Sequence, residues 1–275
     1  MPDPFGITAG VVGVTVPALN ATRRLLVDLQ NIKDAPDTVQ RLRDDVRSVD
    51  MALTSLGAVK DQDWEPLGAS VAEEAKTTIS IYTSACEQFS TDLQRWTRHS
   101  GNGKLAWQDR ANVGFFKQGE IKAMSEQLQN CKVTINSVVS MATLYSSIRH
   151  THITEETKRT ISTKQFEIKS AVDAADGQLR ALGNRVEELK LATYDQQVDE
   201  STMSHAEALR QLEEERKAIT ASRKLLAELL SKAQEAKAAA DNQGRSISVT
   251  FGYNNSGFQA GTIDGGVSGI SFGGK

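Results

Sequence analysis

The side chains whose type and spacing suggest a specific chemistry lie near the C-terminus of this sequence. Asn254, Asn255 and Gln259 follow residues 246–253, where small or polar residues alternate with apolar ones. When identical strands stack in register, each amide side chain hydrogen-bonds to its own copy in the next layer, and aromatic side chains stack. Residues 242–275 contain no proline and only three charged side chains. We therefore expect this tail to assemble with other copies of itself rather than to fold alone.

Two predicted strand arms flank the Asn/Gly/Gln centre of the tail. The first arm, residues 246–253, places its apolar side chains on one face, and the same spacing returns near the C-terminal end. The predicted amyloid core consists of Ile247, Val249, Phe251, Tyr253, Asn254, Asn255, Gly257, Phe258, Gln259, Gly261, Ile263, Ile270 and Phe272. Steric zippers usually contain few glycines, so the nine glycines here indicate arcs between the arms or close sheet contact. The alternative is a disordered glycine-rich linker.

No residue pattern in the chain is typical of catalysis or of a metal site. His150 and His152 stand two residues apart, a spacing that does not place both on one helical face. Cys86 and Cys131 form no CxxC pair, and the phosphate-binding, HExxH and GxSxG motifs are missing. The acidic run at 213–215 is typical of a solvated helix face. We therefore expect a protein that is not an enzyme, with no cofactor, no metal and two free thiols in a reducing cytosol.

The opposite end of the chain is uncharged from residue 4 to residue 22, where Arg23 and Arg24 follow. The stretch has the length of a membrane span, but it is rich in Gly, Ala and Thr and contains Pro17, so we expect no constitutive transmembrane helix. One interpretation is a buried first helix of a bundle; the other is a helix that inserts into a bilayer once released. The two are compatible. The candidate membrane-targeting residues are Phe5, Gly6, Ile7, Gly10, Val11, Val12, Val14, Val16 and Leu19.

Long helices are predicted between these two ends. All five prolines lie at or before Pro66, and apolar residues recur at spacings of three and four. The predicted elements are a first helix that ends before Pro36, a second from Asp37, a connector at 57–66, a third helix at about 67–98, a break at 99–103 and a fourth helix at about 114–150.

Residues 154–240 are rich in Ala, Glu, Lys, Gln and Leu. Leu212, Ile219 and Leu226 recur every seven residues, but Arg216 and Arg223 interrupt the other seam position of a coiled coil. These helices either pack back on the first four or extend as a stalk. We expect the helical region to end at 236–240 and a hinge to follow.

The composition agrees with a helical protein. The 275 residues are 39% hydrophobic, 24% charged and only 5% aromatic, and the net charge of −3 gives no reason to expect a nucleic-acid partner. The N-terminus carries Asp3 where a secretory signal would have positive charge. The predicted fold class is all-α: a helical bundle with long C-terminal helices, followed by a disordered, amyloid-competent, Gly-rich tail.

Both ends of the chain resemble parts of known fungal proteins. The opening residues, from Asp3 to Val14, resemble the start of fungal HeLo-like domains, which are helical bundles. The tail resembles the fungal PP-motif, an amyloid signalling motif related to the animal RHIM, whose N-x-G-x-Q-x-G core is matched by Asn255, Gly257, Gln259 and Gly261. The resemblance implies a HeLo-like domain at 1–220, a helical or hinge linker at 221–244 and a PP-motif region at 245–275. Phe258 and Ala260 stand where animal RHIMs carry a β-branched residue, which argues against pairing with animal partners.

The resemblance implies an effector of fungal programmed cell death, of the kind involved in heterokaryon incompatibility and analogous to the executioner of necroptosis. An NLR-type (STAND) receptor with a matching PP-motif would template the tail, and the chain would assemble with itself. The helical domain would then move from the cytoplasm to the plasma membrane, contact its lipids and permeabilise it. The alternative from another class is a non-lytic coiled-coil adaptor whose tail is a linker or a polymerisation tag. An enzyme with an unrecognised site is a third, weaker alternative.

Overall fold

The computed structural model of the protein describes residues 4–32, 35–97, 118–150, 154–194 and 201–243. Every regular element in these ranges is a helix, so the predicted all-α class is confirmed. The break at 99–103, residues 244–275 of the tail and all the predicted amyloid-core residues lie outside the described residues. The helices are α1 (Pro4–Gln30), α2 (Asp37–Gly57), α3 (Asp61–Trp64), α4 (Gly68–Trp96), α5 (Gln118–His150), α6 (Glu155–Tyr194) and α7 (Ser201–Gln243).

The short-range signals set the helix boundaries. Helix α2 begins directly after Pro36, whose carbonyl accepts a hydrogen bond from the backbone N–H of Val39 at 2.9 Å. The negative charge of Asp37 interacts favourably with the positive end of the helix dipole. The predicted connector contains the single turn α3, whose Trp64 is buried. Gly68 then starts α4 with a φ of 84°, a left-handed conformation that glycine adopts without a Cβ clash.

The main core lies between α1, α2, α4 and α5. Helix α1 packs on α4 and α2, α2 packs on α5, and α4 reaches α5. Each helix contributes apolar residues at spacings of three and four, which form a continuous stripe facing the core. The largest fully buried side chains include Trp64, Tyr82, Leu25, Leu29, Leu42, Leu53, Leu67, Ile79, Leu93, Ile121, Leu128 and Met141.

Helices α6 and α7 pair along their length in opposite directions. Asp176 on α6 binds Arg223 on α7 at 2.7 Å. One part of the pair joins the main core through Ile161 and Ile168 of α6 and the C-terminal half of α7. The other part forms a separate small core from Ala175, Leu182, Val186, Leu212 and Ile219. The predicted alternative of packing back on the bundle is confirmed for the first part, and the second part, although it has its own small core, also contacts α5 through the Asn130–Gln178 hydrogen bond at 3.0 Å.

Helix α7 continues to Gln243, beyond the predicted end at 236–240. The predicted boundary at 220 falls inside α7, and residues 221–243 are part of the bundle rather than a connector. Leu225, Leu226, Leu229, Ala233, Ala236 and Ala240 all lie in the main core. The bundle is bound to α7 by polar contacts as well, since Lys224 pairs with Glu74 of α4 at 2.6 Å and Tyr145 of α5 donates to the Lys232 carbonyl at 2.8 Å.

Candidate functional site: the first helix on the bundle

Helix α1 buries one stripe of small and medium side chains. Val11, Ala18, Leu25 and Leu29 are at most 1% exposed, and their spacing of seven, seven and four residues is that of one helical face. Alanine and valine in the first part of the stripe give way to leucine in the second part. The interpretation of α1 as a core helix of the bundle is therefore confirmed for the residues whose side chains are described, from residue 10 onward.

Two threonines lie within this buried face. Thr15 donates to the Val11 carbonyl at 2.8 Å and Thr22 to the Ala18 carbonyl at 2.7 Å, so the helix itself satisfies both hydroxyls. The Thr22 hydroxyl also lies 3.0 Å from the Tyr82 hydroxyl of α4. Burial raises the Tyr82 pKa well above its usual value, so this phenol stays protonated and can remain a hydrogen-bond donor.

The C-terminal part of α1 is held by polar contacts to two neighbouring helices. Arg23 pairs with Asp50 of α2 at 2.8 Å. Asp28 accepts hydrogen bonds from Ser90 and, at 3.3 Å, from Gln94, both on α4. Because these contacts have fixed geometry, they set the position of this part of the helix on the bundle.

A guanidinium group of α2 satisfies the carbonyls at the end of α1. The Nη2 atom of Arg43 donates to the carbonyls of Leu29 at 2.9 Å and Ile32 at 3.3 Å. The last carbonyls of a helix have no partner within it and carry partial negative charge, so a cation here satisfies them and favours the helix dipole.

The N-terminal part of α1 has no such polar links among the described residues. On its outer side, Val12 is 41% exposed and Val16 is 54% exposed, and they are one turn apart. Pro17, also on the outer side, lacks the N–H that would bind the Gly13 carbonyl. The side chain of Lys76, which pairs with Glu73, lies against Gly10, where a Cβ atom would overlap it.

The predicted membrane-targeting residues are thus distributed over both faces of one helix. Val11 is buried, Val14 and Leu19 are partly buried against the core, and Val12 and Val16 are exposed. Gly10 contacts Lys76. Phe5, Gly6 and Ile7 belong to α1, and their side chains lie outside the description. No helix in the described ranges is both long enough and apolar enough to cross a membrane.

The acidic run at 213–215 differs from the prediction of a solvated helix face. Glu213 and Glu214 are exposed, but Glu215 is only 8% exposed. Burial raises the Glu215 pKa, and the positive charge of Arg185 on α6 opposes that shift in part. The expectation was wrong for Glu215 because the run spans more of a helical turn than the solvated side of α7 covers.

The two cysteines are buried thiols between α4 and α5. Burial raises the pKa of Cys86 to about 12 and that of Cys131 well above its ordinary value, so both are protonated at neutral pH. A protonated, buried thiol is a poor nucleophile and a poor metal ligand. Within the described ranges, no group of three or more His, Cys, Asp or Glu residues is placed to hold a metal ion.

The sequence did not indicate the polar residues that hold α1. The contacts that hold α1 join residues far apart in the chain, from 11 positions for Ile32 and Arg43 to 62 positions for Asp28 and Ser90. The periodic threonines were visible in the sequence, since Thr15 and Thr22 share the spacing of the apolar stripe, and this spacing is the signal that could have identified them.

The chain matches one sequence family, described as pigment biosynthesis cluster protein PigL N-terminal, over residues 2–227. The match covers helices α1 to α6 and the first part of α7, and it ends before the tail. No curated protein and no solved structure matches the chain. Because the matched residues are most of the sequence, this chain belongs to the family of PigL N-terminal domains of pigment biosynthesis cluster proteins.

Proposed function

We propose that this chain is a membrane-permeabilising effector of fungal cell death, controlled by assembly of its C-terminal tail. The observation that carries the proposal is the construction of α1. Its first nineteen residues, 4–22, are uncharged, and the part from residue 10 to 21 is held by small apolar side chains while presenting Val12 and Val16 outward. Such a segment can exchange contacts with the bundle for contacts with a lipid surface.

The energies of the two states are close enough for a switch. Full burial of a valine such as Val11 contributes about 1.5–3 kcal/mol, and an alanine contributes less. For residues 10–21, leaving the bundle therefore costs a few kcal/mol, which the same side chains regain in the acyl region of a membrane, where Val12 and Val16 add to the gain. Arg23 and Arg24 follow the uncharged stretch and suit the headgroup layer.

Assembly of the tail supplies the trigger in this proposal. Chains joined through residues 245–275 bring many copies of α1 to one place, which raises avidity for a membrane without any new contact. The template is an NLR-type receptor with a matching PP-motif, and the chain is cytoplasmic at rest and at the plasma membrane when active. The resemblance of residues 3–14 to HeLo-like domains and of residues 255–261 to the PP-motif supports this scheme.

Vesicle leakage tests the proposal. The full-length protein is mixed with fibrils of a peptide of residues 242–275 and with dye-loaded vesicles of zwitterionic and anionic phospholipid. We expect leakage only when fibrils are present. Replacing Val12 and Val16 together with Asp should abolish it, since each Asp at the centre of a membrane helix costs about 2.5–3.5 kcal/mol.

Val27→Asp is the matched control for the double variant. Val27 is 53% exposed on the same helix but lies in the anchored part, next to the Asp28 contacts. It should leave leakage intact. The substitutions at Val12 and Val16 should each change the free energy of unfolding by no more than about 0.5 kcal/mol, and Val27→Asp, in the last turn of α1, should lower it by up to about 1 kcal/mol. Equal leakage by the double variant and the control would overturn the proposal.

A non-lytic adaptor is the second candidate, and the α6/α7 pair favours it. Its separate core of Leu182, Val186, Leu212 and Ile219 joins two long helices, an element of the kind that scaffolds use to space partners. An adaptor would assemble through the tail and leave the vesicles intact with or without fibrils.

A further inference from the structure

We propose that the groove between α4, α5 and α7 binds a small amine-bearing amphiphile, a protonated amine on an apolar body, with Glu215 as the carboxylate that receives the ammonium group. The groove has a volume of about 480 Å³. Small-molecule sites in proteins occupy about 300–1,000 Å³, so this groove has room for a ligand of that class.

The floor of the groove is apolar. Phe89 and Ile81 of α4 and Met124 and Ala123 of α5 line it, and Phe89 and Met124 are buried in the main core. These side chains are held by the bundle, so the floor is preformed. An aromatic or aliphatic ligand body would cover surface that α7 leaves uncovered here, because this part of α7 packs on α6 instead.

The rim of the groove is acidic. Five carboxylates line it against two cations, Arg210 and Lys217. The carboxylates come from all three helices: Asp92, Glu120, Glu207, Glu214 and Glu215. Asp92 already pairs with Arg95 at 3.5 Å, and the excess of negative charge that remains attracts cations and repels anionic ligands.

Glu215 is the side chain that selects the ligand. It lines the groove, it is only 8% exposed, and no hydrogen bond or ion pair reaches it from the residues the structure describes. Two charges from neighbouring helices act on its pKa in opposite directions, Arg185 from α6 favouring its ionised form and Glu126 from α5 disfavouring it. A nearly buried carboxylate without a partner is costly, and a desolvated cation directly beside it removes that cost.

The other ligand classes fit this site less well. A neutral apolar molecule would cover the floor and desolvate Glu215 further without giving it a partner. An anion would meet the acidic rim. A polyamine without an apolar body would satisfy the rim but leave the partly exposed Ile81 and Ala123 uncovered. Only an amine joined to an apolar body satisfies both the floor and Glu215.

Binding of 2-phenylethylamine to the full-length protein tests the inference, with 2-phenylethanol as the neutral isostere. Carbon-labelled methionine methyl groups report the binding, since the chain has only five methionines and Met124 lies in the floor. Met124→Leu assigns the signal. We expect the amine to shift the Met124 signal saturably at millimolar concentration, while the alcohol leaves it unchanged.

Glu215→Gln should weaken amine binding at least about tenfold, which corresponds to about 1.4 kcal/mol. Glu213→Gln removes the same charge from an exposed neighbour on the same helix and should leave the affinity unchanged. Equal binding of the alcohol, equal weakening by the two variants, or no saturable shift would each overturn the inference. The result is independent of vesicle leakage.

Discussion

The two parts of α1 are attached to the bundle in different ways. Residues 22–32 are held by the Arg23–Asp50 ion pair, by the hydrogen bonds of Asp28 to α4 and by the Arg43 cap. Residues 10–21 contribute Val11, Ala18 and Ala21 to the core, and the one polar side chain buried there, Thr15, bonds within its own helix. Directional contacts fix residues 22–32 in place, whereas residues 10–21 depend on close packing alone.

This difference predicts where α1 separates from the bundle. Small side chains bury little area, so the packing of residues 10–21 contributes few kcal/mol. The missing hydrogen bond at Pro17 weakens the helix within the same part. We therefore expect residues 10–21 to open at a lower free energy than residues 22–32, with Thr22 at the border.

The largest expected effect is that of Leu25→Ala, in the anchored part. Leu25 is fully buried, and Leu→Ala substitutions in cores cost about 2–5 kcal/mol. Val11→Ala, in the other part, removes two methyl groups worth about 1.6 kcal/mol. Denaturant unfolding should show the full loss of unfolding free energy for Leu25→Ala. The loss for Val11→Ala cannot exceed the free energy of opening residues 10–21, because this segment opens before the rest of the protein unfolds.

Amide hydrogen exchange measures that opening directly. In the parent protein, amides of residues 11–21 should exchange faster than those of residues 22–32. Val11→Ala should accelerate exchange only in residues 11–21. If both groups exchange at one rate and respond together to Val11→Ala, the two parts form a single unit and the comparison fails.

The second prediction concerns the hydrogen bond at the border between the two parts. Tyr82→Phe removes the contact with Thr22 and should lower the free energy of unfolding by about 1 kcal/mol at neutral pH. Burial raises the Tyr82 pKa well above the value near 10 of an unfolded tyrosine. The unfolded chain therefore loses its proton first as the pH rises, and the parent protein loses stability above about pH 10.

The Phe variant lacks this alkaline loss. The difference in unfolding free energy between the parent and the less stable Phe variant should therefore shrink above about pH 10. It shrinks by up to about 1.4 kcal/mol per pH unit, until the folded tyrosine also ionises. Burial also raises the pKa of Cys86 and Cys131, and a hydrogen bond with Tyr82 offsets part of the rise at Cys86, so loss of this bond in the Phe variant raises the Cys86 pKa further. Parallel stability curves from neutral to alkaline pH would show that Tyr82 does not titrate differently in the two states.

The sequence predicted much of the fold because local signals determine helix boundaries. Pro36 and the periodic apolar residues placed the start of α2 correctly, and all-α is confirmed. Periodicity identifies the buried face of a helix but not the polar group that meets it. The Ser90–Asp28 contact spans 62 positions, and the burial of Glu215 depends on where α7 crosses α5. Such contacts depend on tertiary packing, so no window of sequence contains them.

The smallest expected effect tests how residues 10–21 leave the bundle. Gly13 is exposed, and a Cβ atom added to it has open space, so Gly13→Ala should stabilise the helical state by about 0.5–1 kcal/mol. Gly10→Ala gains the same helix propensity, but the Lys76 side chain must move, which offsets the gain.

If the segment unwinds as it opens, Gly13→Ala slows the exchange of amides 11–21 about twofold to fivefold. If it leaves as an intact helix, its bound and released forms gain equally, and Gly13→Ala leaves the opening equilibrium and the exchange rate of these amides unchanged. A larger effect of Gly10→Ala than of Gly13→Ala would instead show that the Lys76 contact, rather than the helix propensity, holds this part of α1.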